Sequence, residues 1–166
     1  MSKKTAVITG ASSGIGLELA RLFAADGYDL IVTARRAERL QQLADELGNA
    51  HGTSVHIIRM DLAQPHAAGT LWQAIGDIAP DIDVLVNNAG VGDAGDFAKA
   101  EPETIERMIH LNISTLTALT RYVLPGMIAR KHGKILNVAS LAGFQPGGPA
   151  DLDGAGNHRF PRCPTR

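Results

Sequence analysis

The most constraining stretch of the chain is Gly10-Ala11-Ser12-Ser13-Gly14-Ile15-Gly16, set between a β-like run and a helix-like one. Ahead of it, Thr5-Ala6-Val7-Ile8-Thr9 is short, apolar and β-branched, which predicts a buried strand. Behind it, Ile15, Leu19, Leu22 and Phe23 recur at helical spacing and predict one buried helix face, with Gly27 where a helix C-cap is expected. Glycine permits a tight turn and lets backbone approach a phosphate with no Cβ in the way. Free N–H groups at a helix start, together with the helix dipole, favour negative charge there. The spacing is G-x-x-x-G-x-G, not the commoner G-x-G-x-x-G. Two readings stay open: a pyrophosphate cradle, with Ser12 and Ser13 as added hydroxyl donors, or a flexible strand-to-helix turn.

The same alternation continues along the chain. Leu30 to Ala34 predicts a second strand, followed by a helix with Leu40, Leu43, Ala44 and Leu47 on one face and its end at Gly48. Val55 to Met60 predicts a third strand ending at Asp61, then a helix from near Pro65 carrying Leu71, Ile75 and Ile78. Ile82 to Val86, broken only by Asp83, predicts a fourth strand leading into Asn87-Asn88-Ala89-Gly90. A long helix is expected from about Pro102 to Pro125, with Glu101 and Glu103 at its positive end. Lys134 to Ala139 predicts the fifth strand, ending at Ser140. This alternation implies an α/β class in which helices cover a parallel sheet. Right-handed crossovers permit a doubly wound sheet in the order 3-2-1-4-5.

Composition narrows the partners. The chain has 166 residues, with 16 Lys+Arg against 17 Asp+Glu and 45% hydrophobic residues. That length fits one domain, and the near-neutral balance gives no footprint for nucleic acid or an anionic membrane surface. No apolar run approaches the ~20 residues of a membrane helix. The single Cys163 excludes an intramolecular disulfide and fits a reducing compartment. Met1-Ser2-Lys3-Lys4-Thr5 leads straight into the first strand, so no signal peptide is expected and the location expected is cytoplasmic. No metal site is assigned.

The second strand ends in Thr33-Ala34-Arg35-Arg36, with no acid before Glu38. An NAD site usually has an acid here, bonded to the ribose 2′-hydroxyl. Paired guanidinium donors suit a 2′-phosphate instead, so Arg35 and Arg36 favour NADP over NAD. The alternative is a solvated first helical turn whose arginines pair with Glu38 or other carboxylates.

Taken together, Thr9-Gly10-Ala11-Ser12-Ser13-Gly14-Ile15-Gly16, Asp61, Asn87-Asn88-Ala89-Gly90, Asn112 and Ser140 resemble the short-chain dehydrogenase/reductase family, in order and in spacing. The resemblance covers residues 1 to about 147. It implies a Rossmann-type fold and hydride transfer between NADP(H) and a small-molecule alcohol or carbonyl. It places Asp61 and Leu62 at the cofactor, Asp61 against the adenine amino group, and the backbone of Asn88, Ala89 and Gly90 along the ribose. It makes Asn112 a residue that distorts its helix and binds a water in a proton relay, and Ser140 a hydrogen-bond partner of the substrate oxygen. Family members are usually homo-oligomeric, through helices mostly outside the match. Read as residues, Asp61 also fits a helix N-cap, Asn88 and Ser140 fit turns, and Asn112 between Leu111 and Ile113 fits a satisfied core amide.

One part of the family pattern is missing. The family's acid–base is a Tyr, followed four residues later by a Lys that lowers its pKa. Counting on from Ser140, the tyrosine's place falls at Asp153 and the lysine's at Asn157. The only tyrosines are Tyr28 and Tyr122, and no lysine follows Lys134. His158 has nothing to fix its position, and Cys163 has no activating partner. From Gly147 the chain shows no period of 2 or 3.6. The expected division is therefore a dinucleotide-binding domain over 1–146 and an irregular tail over 147–166, the sheet being incomplete on its C-terminal side. The abrupt loss of the pattern leads us to expect a tail read in a shifted frame, an exposed fifth strand, and little or no turnover. The readings beside the oxidoreductase are a catalytically dead NADP(H)-binding fragment and the non-functional product of a disrupted gene.

Overall fold

The computed structural model of the chain describes residues 3–93 and 97–140. Its strands are β1 (Thr5–Thr9), β2 (Asp29–Ala34), β3 (Val55–Arg59), β4 (Val84–Asn87) and β5 (Lys134–Asn137). Its helices are α1 (Gly14–Ala25), α2 (Ala37–His51), α3 (Ala67–Gly76), α4 (Pro102–Ile109) and α5 (Leu116–Arg130). The strands form one parallel sheet in the order β3-β2-β1-β4-β5, as right-handed crossovers allow. Register sets Thr9 beside Thr33 and Ile8 beside Val86, so β1, β2 and β4 finish at one end of the sheet.

Successive strand side chains point to opposite faces. Val7, Ile31 and Leu85 join the core under α3 and α5, while Ala6, Ile8, Leu30, Val32, Val84 and Val86 join the core under α1 and α2. Both faces are apolar because both are covered, the signature of a doubly wound layer structure. Leu40, Leu43 and Leu47 of α2 are fully buried. Each such side chain stabilises the fold by about 1.5–3 kcal/mol.

Helix α1 departs from the periodic expectation. Ile15 and Leu22 are 60% and 62% exposed, and the buried stripe is Gly16, Ala20 and Ala24. Small residues face inward because the helix start presses on its neighbours: a Cβ on Gly16 would overlap the Asn88 amide and the Gly10 carbonyl. Leu19 and Phe23 pack only against the edge of this core. The helix closes as expected around Gly27. The Gly27 N–H donates to Ala24 O at 3.0 Å and the Tyr28 N–H to Phe23 O at 3.0 Å, with the Phe23 and Tyr28 rings edge to face.

Several boundaries shift for local reasons. Helix α2 runs through Gly48 to His51 and closes on left-handed Gly52, whose N–H donates to Gly48 O. A single helical glycine costs only about 1 kcal/mol, too little to end a helix anchored by three buried leucines. Helix α3 starts at Ala67, not near Pro65, because His66 holds a left-handed φ of 62°. Strand β4 spans Val84–Asn87, and just ahead of it the Asp83 N–H donates to Thr5 O at 2.9 Å while its carboxylate accepts the Thr5 N–H at 2.8 Å. The long helix is three pieces: α4, a π-helical stretch over His110–Thr115, and α5, which runs on past Pro125 to Arg130. Proline lacks one backbone donor, and Val123 and Met127, buried on either side of it, hold the helix to the core. Strand β5 is shorter than expected, with Leu136 41% exposed on the sheet face opposite Ile135.

The 146/147 division and the 147–166 tail lie outside the described residues. Among the described residues no helix is long and apolar enough to cross a membrane.

Candidate functional site

The turn after β1 is held by hydrogen bonds from its two neighbouring strands. The Gly10 N–H donates to Thr33 O at 2.8 Å. The Thr9 hydroxyl donates to Val86 O at 3.2 Å and accepts the Asn88 and Ala89 N–H groups, each at 3.0 Å. The Asn88 amide donates to Thr9 O at 2.9 Å and Gly10 O at 3.3 Å. These bonds consume the turn's own carbonyls and leave the start of α1 open. Its N-cap, Ser13, makes no side-chain capping bond, so the first helical N–H groups keep their hydrogen-bonding capacity. Gly14 has φ +58°, and a Cβ there would meet nothing within 4 Å. Positive helix-end charge therefore faces empty space.

Arg36, at the N-cap of α2, reaches back across this space. Its guanidinium donates to Ser12 Oγ at 3.1 Å and Ser13 Oγ at 2.7 Å. Each serine accepts there and keeps its own O–H to donate outward. Arg35 is exposed beside it. Among the described residues neither arginine pairs with Glu38 or any other carboxylate.

Asp61 follows β3. Its Oδ1 accepts the Ala63 N–H at 3.1 Å, and its Oδ2 accepts Arg107 Nη2 at 3.0 Å and Gln64 Nε2 at 3.4 Å. It closes a turn ahead of α3 and does not cap the helix itself, which starts at Ala67. Partial burial raises the carboxyl's pKa, but the Ala63 N–H and the Arg107 guanidinium outweigh it and hold the group below the ordinary carboxylate value. Next to it, Leu62 is buried and its carbonyl accepts the Thr115 hydroxyl at 2.9 Å.

Asn112 lies inside the π-helical stretch. Its Nδ2 donates to Val91 O at 2.7 Å and its Oδ1 accepts the Val91 N–H at 3.0 Å. The amide is thus satisfied, and the helix is distorted at the same place. Through Arg107, Asn112 and Thr115 one helical rod holds the loops after β3 and β4. Ser140 stands exposed beyond β5, two residues past Val138.

These loops enclose a cleft of about 490 Å³ at the C-terminal ends of the strands. Gly10, Ser12, Ser13 and Ile15 line it from the first turn, Thr33 to Arg36 from the second strand, Met60 to Ala63 from the third, and Asn88 to Gly92 from the fourth. Such crevices, where the strand order reverses between β1 and β4, are the ligand sites of open α/β sheets. Gly14, Gly16, Asn112 and Ser140 do not line it: Gly16 packs beneath the turn and Asn112 stands behind Val91. The wall from α4 and the π-helical stretch after it, Thr104, Arg107, Met108 and Leu111, is absent from the sequence reading. Its helical spacing was the available signal. Thr33 was missed as well, and its buried hydroxyl has no hydrogen-bond partner in the cleft wall. The positions of Asp153, Asn157, His158 and Cys163 lie outside the described residues.

The short chain dehydrogenase family model matches residues 4–150. The chain belongs to the short-chain dehydrogenase family. It is 39% identical over 150 residues to the NADP-dependent 3-hydroxy acid dehydrogenase of Shigella flexneri, covering 90% of this chain and 59% of that relative. A short-chain dehydrogenase from Sphingobium yanoikuyae in complex with NADPH superposes with a TM-score of 0.81 and 38% identity, covering 86% of this chain and 56% of the other. The bulky-bulky ketone specific alcohol dehydrogenase of Comamonas testosteroni gives a TM-score of 0.82 and 34% identity, over 88% of this chain and 58% of the other. This short-chain dehydrogenase chain thus spans about three-fifths of the length of such relatives.

Proposed function

We propose that the chain binds NADP(H) as the cofactor-holding part of a short-chain oxidoreductase acting on a small alcohol or carbonyl. The observation that carries this reading is Arg36, anchored on Ser12 and Ser13 with no carboxylate partner, at the open start of α1. The shape and donor set of the cleft fit a dinucleotide phosphate. The start of α1 would receive the pyrophosphate, Arg35 and Arg36 the 2′-phosphate, and Asp61 with Leu62 the adenine. The backbone of Asn88, Ala89 and Gly90 would run along the ribose. Bound NADPH supplies a hydride for a carbonyl carbon. On the protein side, Ser140 would bond the substrate oxygen, and Asn112 keeps Val91 in place at the cleft wall. Several matching proteins carry NADP in their names or complexes, in keeping with this assignment.

No Tyr follows Ser140 and no Lys follows Lys134, so the chain as written lacks the usual proton donor. We therefore assign it cofactor binding with little turnover. Titrating the purified chain with NADPH and NADH tests the first part. NADPH should bind about tenfold or more tightly, the worth of one or two charge-assisted contacts. Equal affinities, or no binding, would remove the assignment. A panel of carbonyls with NADPH tests the second part: turnover on the order of 1 s⁻¹ or more would place a proton donor in the chain after all.

A further inference from the structure

Arg59 ends β3 and pairs in register with Ala34, the residue before Arg35. Paired residues of parallel strands share a face, so Arg59 leaves the sheet on the same side as Val55 and Ile57, the side packed by α2. There α2 begins with Arg36 at its N-cap and Arg39 in its first turns. The Arg59 Nε–H donates to the Arg35 carbonyl at 3.4 Å, which leaves its terminal nitrogens uncommitted. Among the described residues none of Arg35, Arg36, Arg39 and Arg59 forms an ion pair. Elsewhere arginines do pair: Arg21 with Glu18 and Glu46, Arg107 with Asp61, Arg130 with Asp81. Like charges gathered without counter-charge repel one another, and an anion seated among them relieves that repulsion. An added helix N-terminus, that of α2, has the same sign.

We infer that Arg59 is a specificity-determining positioning residue for a 2′-phosphate, bracing the Arg35 peptide and adding positive charge to the corner where Arg35 and Arg36 stand. It does not line the cleft, so its effect passes through Arg35 and through the local field. The inference rests on the NADP(H) reading above, and a cofactor without a 2′-phosphate should not sense it.

The test compares the full chain with its Arg59→Ala and Arg59→Gln variants, each titrated with NADPH, NADH, adenosine 2′,5′-bisphosphate and 5′-AMP. Arg59 is exposed, so both variants should fold, which far-UV circular dichroism checks. NADPH and the bisphosphate should lose about three- to tenfold in affinity, with NADH and 5′-AMP unchanged within twofold, and the difference should shrink as salt rises. An unchanged NADPH-to-NADH ratio overturns the inference, and so does an equal loss for both, which marks a merely structural residue. A parent chain that shows no NADPH preference removes the underlying reading before any variant is compared.

Discussion

The turn after β1 and the segment after β5 stand at the same end of the sheet but are held in different ways. Thr9, Gly10 and Asn88 close the first with backbone and side-chain hydrogen bonds to β2 and β4, over a buried stripe of Gly16, Ala20 and Ala24 in which Gly16 leaves no room for a Cβ. Among the described residues strand β5 has one strand neighbour, and three of its four residues are exposed. The turn after β1 is therefore pre-organised by contacts internal to β1, β2 and β4. Ser140 stands exposed beyond β5. Within the described residues, burial thus falls from the centre of the sheet toward β5.

The sharpest way to break that comparison is Gly16→Val. Its side chain would meet the Gly10 backbone and the Asn88 amide, so the unfolding free energy should fall by about 3 kcal/mol or more. Ser140→Ala, at an exposed position, should stay within about 0.5 kcal/mol. Urea titrations of both variants read the contrast, and equal losses would show that the two ends are equally braced. Core against edge gives a second pair. Leu43→Ala removes a buried side chain and should cost about 2–5 kcal/mol. Leu136→Ala should cost less than about 1 kcal/mol, since that side chain is already half in water.

Asn112→Ala sharpens the comparison at the rod that joins the two ends. It leaves the Val91 N–H and carbonyl without their partners, for an expected loss of about 1–3 kcal/mol. Amide hydrogen exchange should then speed up at Val91 while Gly10 stays protected. The smallest effect concerns pH. Asp61 has a lowered native pKa, so its contribution is present above the ordinary carboxylate range and is lost as pH falls through the lower native value. Arg107→Gln should weaken this contribution, by less than about 1 kcal/mol for so exposed a pair. Melting temperatures of parent and variant should therefore differ at neutral pH and converge as the pH falls through the lowered native value of Asp61.

Much of the fold was legible because strand and turn signals are local. Short β-branched runs, the glycine turn and the Schellman glycine at Gly27 act within a few residues, and each was read close to its place. The bond between Arg36 and the two serines was not legible, because 23 and 24 residues separate them and only the fold brings the end of β2 beside the glycine turn. Nor was Arg107, since its meaning comes from a carboxylate 46 residues away. Arg59 is a residue of the same kind: an exposed strand end until the register sets it beside Ala34.

By itself the sequence determined the α/β alternation, the order of the strands, the glycine turn and the absence of a Tyr after Ser140. Each follows from residue type and short-range spacing. Only the tertiary structure decided which face of α1 is buried, because the closeness of Asn88 and Gly10 to Gly16 excludes the larger residues that periodicity favoured. It also decided what the helix distortion expected at Asn112 holds together: the π-helical stretch carries the Asn112 and Thr115 side chains to loops distant in sequence. There the Asn112 amide bonds Val91, 21 residues away, and the Thr115 hydroxyl bonds the Leu62 carbonyl, 53 residues away, contacts that no short-range spacing sets.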